Sequence, residues 1–168
     1  MPFSEAYVSF LIHFHGDRDY FECHEVLEDH WKNYGMARDS IWVGLIQIAV
    51  SFYHYRRGNI KGSLKLIDKA IHLLSYKEIE VCTLGIDYEE LIKELNISKA
   101  RMHHKMPYKP IILPIYDQSL LAFCKEKCAN RGNAWGILVD EAPDSIVHKH
   151  ILRKRSKVIS KRQYALVQ

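Results

Sequence analysis

The stretch Ile41-Trp42-Val43-Gly44-Leu45-Ile46-Gln47-Ile48-Ala49-Val50-Ser51-Phe52-Tyr53 leaves this chain little choice of fold. Wound as a helix running from about Asp39 to Arg57, it is apolar on nearly every side, which places it at the centre of a bundle rather than on a surface. Its longest apolar run, Ile41 to Val50, is broken by Gln47 and is too short to cross a bilayer. No segment before residue 105 alternates polar and apolar with period two. The partners of this helix are therefore helices as well, and the fold class is all-α.

Those partners are readable from their caps. Ser4 precedes a first helix that reaches toward Gly16, and Asp17 or Asp19 opens a second that Gly35 stops. Gly58-Asn59 makes the turn after the central helix, and Leu64, Ile67, Ala70, Ile71 and Leu74 mark one face of a fourth. Asp87 caps a fifth. Beyond Met106 the texture changes. Pro107, Pro110 and Pro114 impose an extended segment that wraps across the bundle, followed by a short helix over Tyr116 to Cys128 and a turn in which Trp135 is pinned to the body. The expected architecture is a compact bundle of about five helices with a Pro-rich wrap-around segment and a short helical, basic C-terminal extension. The division expected is a bundle domain over residues 1–105 and an extension over 106–168 packed on it.

The formal charge of +4 hides an asymmetry. No Asp or Glu follows Asp144, whereas seven of the 24 basic residues do, leaving 17 against 20 acids in the body. A basic block over residues 149–162 fits an acidic partner, a nucleic acid, an anionic membrane surface, or a solvated helix folded back on the acidic body. It lacks the interleaved aromatics of a base-stacking platform, which favours the fold-back. Four cysteines do not make a disulfide scaffold, and Met1-Pro2-Phe3-Ser4-Glu5 is no secretory leader. The expectation is a reduced, cytoplasmic protein with no transmembrane segment, open to homo-oligomerisation.

The candidate chemistry sits in His24-Glu25-Val26-Leu27-Glu28. Positions i and i+4 share a helical face, so His24 and Glu28 stand together at the border of an apolar stripe. The central helix answers with Gln47, Ser51 and His54, a polar strip on an otherwise apolar element, and with Arg57 at its end. Polar groups in such a place must be paired, because burying them alone costs on the order of 2–7 kcal/mol. Three readings stay open. The plainest is a structural hydrogen-bond network; another is a small-molecule or anion pocket formed by His24, Glu25, Glu28, Gln47, Ser51, His54 and Arg57, with Arg18 and Arg56 as further guanidinium donors. The third is a divalent metal on His24, Glu28 and His54 with Glu25 as general base, a relative of the His-Glu-x-x-His metal motif and the arrangement of a metal-dependent hydrolase. Cys124 and Cys128 with His148 and His150 match no zinc-site spacing, and Cys23 suits the core better than a nucleophile's place.

Residues Phe14 to Glu28, the run Gly44-Leu45-Ile46-Gln47-Ile48-Ala49 and the segment His54-Tyr55-Arg56-Arg57-Gly58-Asn59 resemble the prokaryotic domain-of-unknown-function-309 family, over roughly residues 10 to 75. The region from Pro107 onward looks like the extension of its Bacillus-type members. The resemblance implies a compact bundle of about five helices and a soluble prokaryotic protein, and it carries no activity with it. Gly44 to Leu74 is also similar to one tetratricopeptide-type hairpin, but no second copy follows at a fixed period. The function expected is binding or structural support more than catalysis.

Overall fold

A computed structural model describes residues 2–138 and 142–153. It contains helices α1 (Glu5–Ile12), α2 (Tyr20–Asn33), α3 (Ile41–Arg56), α4 (Ile60–Leu74), α5 (Glu78–Thr83), α6 (Tyr88–His103), α7 (Gln118–Asn130) and α8 (Asp144–Val147). Residues 149–153 are helical again. The fold is an all-α bundle, and among the described residues the only extended pairing is an isolated antiparallel bridge between Ile86 and Ile115. No helix among those residues is long and apolar enough to cross a membrane.

Side-chain caps start the long helices where the sequence offers them. Ser4, Asp19, Ser40, Asn59, Asp87 and Asp117 each accept a backbone N–H in the first turn of the helix that follows. Asp117 sets the start of α7, which therefore runs two residues later than the expected Tyr116 to Cys128. The six-residue α5 is an addition to the expected set; it is too short to show a helical period. The first helix does reach Gly16, but its last turn, His13–Asp17, is π-helical and ends at Arg18 in the left-handed region (φ 55°).

α3 packs between α2 and α4, and Leu45, Ile48, Ala49 and Phe52 are fully buried there. Its all-round apolar character does not give all-round burial. Trp42, Ile46, Gln47, Val50 and His54 are only half-buried, and of these Val50 and His54 face α2. Gly44 lets α4 come close: a Cβ there would lie 2.8 Å from Leu74 Cδ2.

The Pro-rich segment crosses the bundle as expected and is held by specific donors. Tyr55 Oη donates to the carbonyls of Met106 (2.7 Å) and Pro107 (3.1 Å). Leu113 N–H donates to His15 Nε2 at 2.9 Å, and Arg18 Nη1 donates to Ile111 O at 2.7 Å. Asp87 N–H donates to Pro114 O, and Tyr116 N–H to Gly85 O. Trp135 is stacked on the His15 ring with centroids 4.2 Å apart, which pins the turn after α7 to the body.

Candidate functional site

α2 brings His24, Glu25 and Glu28 together. His24 Nδ1 lies 3.2 Å from Glu25 Oε1 and its Nε2 lies 3.3 Å from Glu28 Oε2. The other oxygen of Glu28 pairs with Lys32 at 3.2 Å. With a carboxylate at each ring nitrogen, only a doubly protonated imidazole could donate to both. One donor atom from each of the three residues lies within 4.8 Å of the others, so they could share a cation.

His24 also lines a cavity of about 280 Å³ between α2 and α3. Tyr20, Phe21, Val50 and Tyr53 form its apolar walls, and His24, His54, Arg57 and His150 supply its polar groups. The imidazoles of His24 and His54, from neighbouring helices, thus face one space. His54 Nδ1 accepts from the Asn59 side-chain amide at 3.1 Å, leaving Nε2 as its N–H. Burial first, then the charge of Arg57 and the nearby His150, hold the His54 pKa below the ordinary imidazole value. The Arg57 guanidinium lies over the Tyr53 ring at 5.2 Å and gives its Nε hydrogen to His148 Nδ1 at 3.2 Å.

The described part of the basic tail closes one side of this cavity. Lys149 Nζ donates to Asp19 Oδ2 (2.7 Å) and Glu22 Oε2 (2.9 Å). His150 N–H donates to Tyr53 Oη at 3.3 Å, and Arg153 reaches Glu25 at 3.6 Å while its guanidinium lies over the Phe21 ring. The hydrogen bond from Lys149 lowers the Glu22 pKa. Burial alone would lower that of Lys149, but the bonds to Asp19 and Glu22 raise it overall. Residues 149–153 therefore fold back on the acidic N-terminal turn of α2, as the charge asymmetry favours; residues 154–162 of the basic block lie outside the described residues.

Other candidates are placed elsewhere. Ser51 gives its hydroxyl to Ser63 O at 2.8 Å, on the α4 side of α3 and away from His24. Gln47 Oε1 is buried with no hydrogen-bond partner among the described residues, and the side chain is not part of the cavity wall. His54 shares the cavity with His24, yet the close set of three donor atoms contains Glu25 in its place. Arg18 is 4 % exposed and spends Nη1 and Nη2 on the carbonyls of Phe14, Ile111 and Ile137, so it anchors backbone instead of offering an anion site. Arg56 donates to Arg18 O and lies over the Tyr20 ring. Of the three arginines proposed for an anion, only Arg57 lines the cavity. Cys23 donates its thiol to Phe10 O in the core, and burial pushes its pKa well up. Cys124 and Cys128 are buried on α7, whereas His148 accepts from Arg57 and His150 lines the α2–α3 cavity, so these four residues, which matched no zinc-site spacing, are not brought together.

Sequence reasoning missed His15. It is fully buried, its Nδ1 lies 2.8 Å from Leu11 O, and its Nε2 accepts from Leu113 N–H. That acceptor role fixes the proton on Nδ1. Burial, with a smaller push from Arg18, lowers its pKa to about 3. Its one sequence signal is adjacency to Gly16, where a Cβ would fall 2.5 Å from Cys128 Sγ.

The model of the family described as "Domain of unknown function (DUF309)" matches residues 7–66, the span from α1 into α4 that contains every candidate from His24 to Arg57. Over 162 residues the chain is 37 % identical to "Uncharacterized protein YpuF" of Bacillus subtilis (strain 168), covering 96 % of this chain and 93 % of that protein. No solved structure matches. The chain belongs to the domain-of-unknown-function-309 family.

Proposed function

We propose that this member of the domain-of-unknown-function-309 family is a binding protein that receives a small organic ligand between α2 and α3. One observation carries the reading: a cavity of about 280 Å³ combines aromatic and aliphatic walls with a few convergent nitrogen groups from three separate segments of the chain. That combination is how ligand pockets divide their labour, the apolar walls supplying affinity and the polar groups orientation. Ligand-observed nuclear magnetic resonance with phenol and indole tests it. Both should bind the wild-type protein at millimolar concentration, and Val50→Phe, which fills the cavity from α3, should abolish binding while the circular dichroism spectrum is retained. Equal binding by the folded Val50→Phe protein would refute the reading.

A second reading has its own observation, the donor atoms of His24, Glu25 and Glu28 within 4.8 Å of one another. Here a divalent cation would sit on those three residues at the edge of the same cavity; His54, the third ligand expected from the sequence, would face it from α3. Elemental analysis of protein purified without an affinity tag distinguishes the two readings. Stoichiometric metal lost in His24→Ala supports the cation, and a metal content below a tenth of stoichiometry overturns it.

A further inference from the structure

We propose that the ligand of the α2–α3 cavity is a small organic anion, an apolar body bearing one carboxylate or phosphate held at Arg57. This rests on the binding reading above and adds the charge of the ligand. The polar groups that line the cavity are His24, His54, Arg57 and His150; no carboxylate is among them. The nearby carboxylates of Glu25 and Glu28 face the His24 ring, and those of Asp19 and Glu22 are engaged by Lys149. A cationic ligand would therefore meet a guanidinium and imidazoles with no opposite charge in the wall.

Arg57 is suited to hold an anion. Guanidinium keeps its charge at any physiological pH and offers paired N–H groups to a carboxylate or phosphate. Its Nε is used on His148, and among the described residues its two terminal nitrogens have no hydrogen-bond partner. Its position over the Tyr53 ring and its bond to His148 hold the group in place before any ligand arrives. Beside it, His54 presents Nε2–H, because its Nδ1 is already an acceptor for Asn59. Neutral imidazole is a sufficient donor for this purpose. His150 comes from the C-terminal segment, placed by the Lys149 ion pairs and by its own N–H bond to Tyr53 Oη. The wall is thus complete only with that segment docked.

Size narrows the ligand further. A cavity of about 280 Å³ is just below the roughly 300–1,000 Å³ typical of ligand pockets, which suits one ring or a short chain. Tyr20, Phe21 and Val50 supply the surfaces for that body.

The experiment compares benzoate, phenyl phosphate, benzyl alcohol and benzylamine by titration on the full chain, wild type and Arg57→Gln. Benzoate or phenyl phosphate should bind at least tenfold more tightly than benzyl alcohol, with benzylamine weakest, and the ratio of the first two tells carboxylate from phosphate. Arg57→Gln should bring the better anion to within twofold of benzyl alcohol, and a circular dichroism spectrum and urea midpoint like those of wild type show that the variant is folded. An anion no tighter than benzyl alcohol, or an Arg57→Gln loss equal for anion and alcohol, overturns the inference while leaving the binding reading standing. Failure of all four compounds to bind wild-type protein overturns both.

Discussion

Acidification should weaken this fold through His15, beginning at a pH above that at which ordinary carboxylates take up protons. In the native state the ring is fully buried and its pKa is pushed down to about 3. In the unfolded chain it is near 6.5. Above about pH 6.5 the ring is neutral in both states, and its contribution to stability is fully present. Between about 6.5 and 3 the unfolded chain binds a proton that the native state refuses, so each pH unit favours unfolding by up to about tenfold. Below about 3 both states are protonated and the slope ends. At pH 4.5 the loss is about a hundredfold, roughly 3 kcal/mol out of a stability typically on the order of 5–15 kcal/mol. Burial is the main cause, and the geometry agrees with it: a proton on Nε2 would turn the acceptor of Leu113 N–H into a second donor facing it.

Urea unfolding of the wild type and of His15→Gln at pH 7.5, 6.5, 5.5 and 4.5, followed by tryptophan fluorescence, isolates this effect. The glutamine cannot titrate. Asp17 and Glu22 also have lowered pKa values, the first because its hydrogen bond and charge interaction with His13 outweigh burial, the second chiefly through Lys149. Both are present in each protein, so their contributions largely cancel in the difference. The stability advantage of wild type over His15→Gln should be greatest at pH 7.5 and shrink by roughly 3 kcal/mol at pH 4.5. Parallel stability curves would refute the argument. So would a long-range ¹H–¹⁵N spectrum placing the proton of His15 on Nε2.

Gly16→Ala places a Cβ 2.5 Å from Cys128 Sγ and should cost about 1–3 kcal/mol by overpacking; adding Cys128→Ala should recover part of it, measured as a coupling energy in a thermal double-mutant cycle. Arg18→Met removes charged hydrogen bonds to Phe14, Ile111 and Ile137 and should cost about 3 kcal/mol or more, with faster amide exchange at Leu113 than at Leu45 relative to wild type. Lys149→Met should loosen the C-terminal segment by about 1 kcal/mol, seen as roughly fivefold faster tryptic cleavage after Arg153, a rate that wild type approaches in 1 M salt.

The parts of the fold that were legible in the sequence are those whose cause is local. Asp19 and Asp87 announce helix starts because a carboxylate three residues ahead can accept an orphan N–H, and both do. Three prolines make residues 107–114 extended wherever they lie. What places that segment is not local: Leu113 is held by His15, and Ile111 by Arg18, from the far end of the chain. These two residues sit in and just after a π-helical turn, whose period matches neither helix nor strand templates. The site divides the same way. His24 with Glu28 follows from one turn of helix, whereas Ser51 and His54, read as one strip, are about 60° apart around α3. That angle is enough to send Ser51 to Ser63 on α4 and His54 to the α2 side.

The Lys149 contact shows why charge asymmetry could forecast docking of the tail without locating it. The first turn of any helix favours acids, since its unpaired N–H groups carry partial positive charge. Asp19 and Glu22 stand there on α2, and Asp19 is 5 % exposed. Its two oxygens do different work: Oδ1 accepts Glu22 N–H and begins the helix, while Oδ2 takes Lys149. The carboxylate is therefore fixed in orientation by the helix before the lysine reaches it, so the pair loses less entropy in forming than one with a free surface acid would. Capping and docking are not competing uses of the group. A helix start that the bundle requires in any case also supplies the seat that brings His150 to the cavity, and the site is assembled from residues more than a hundred positions apart.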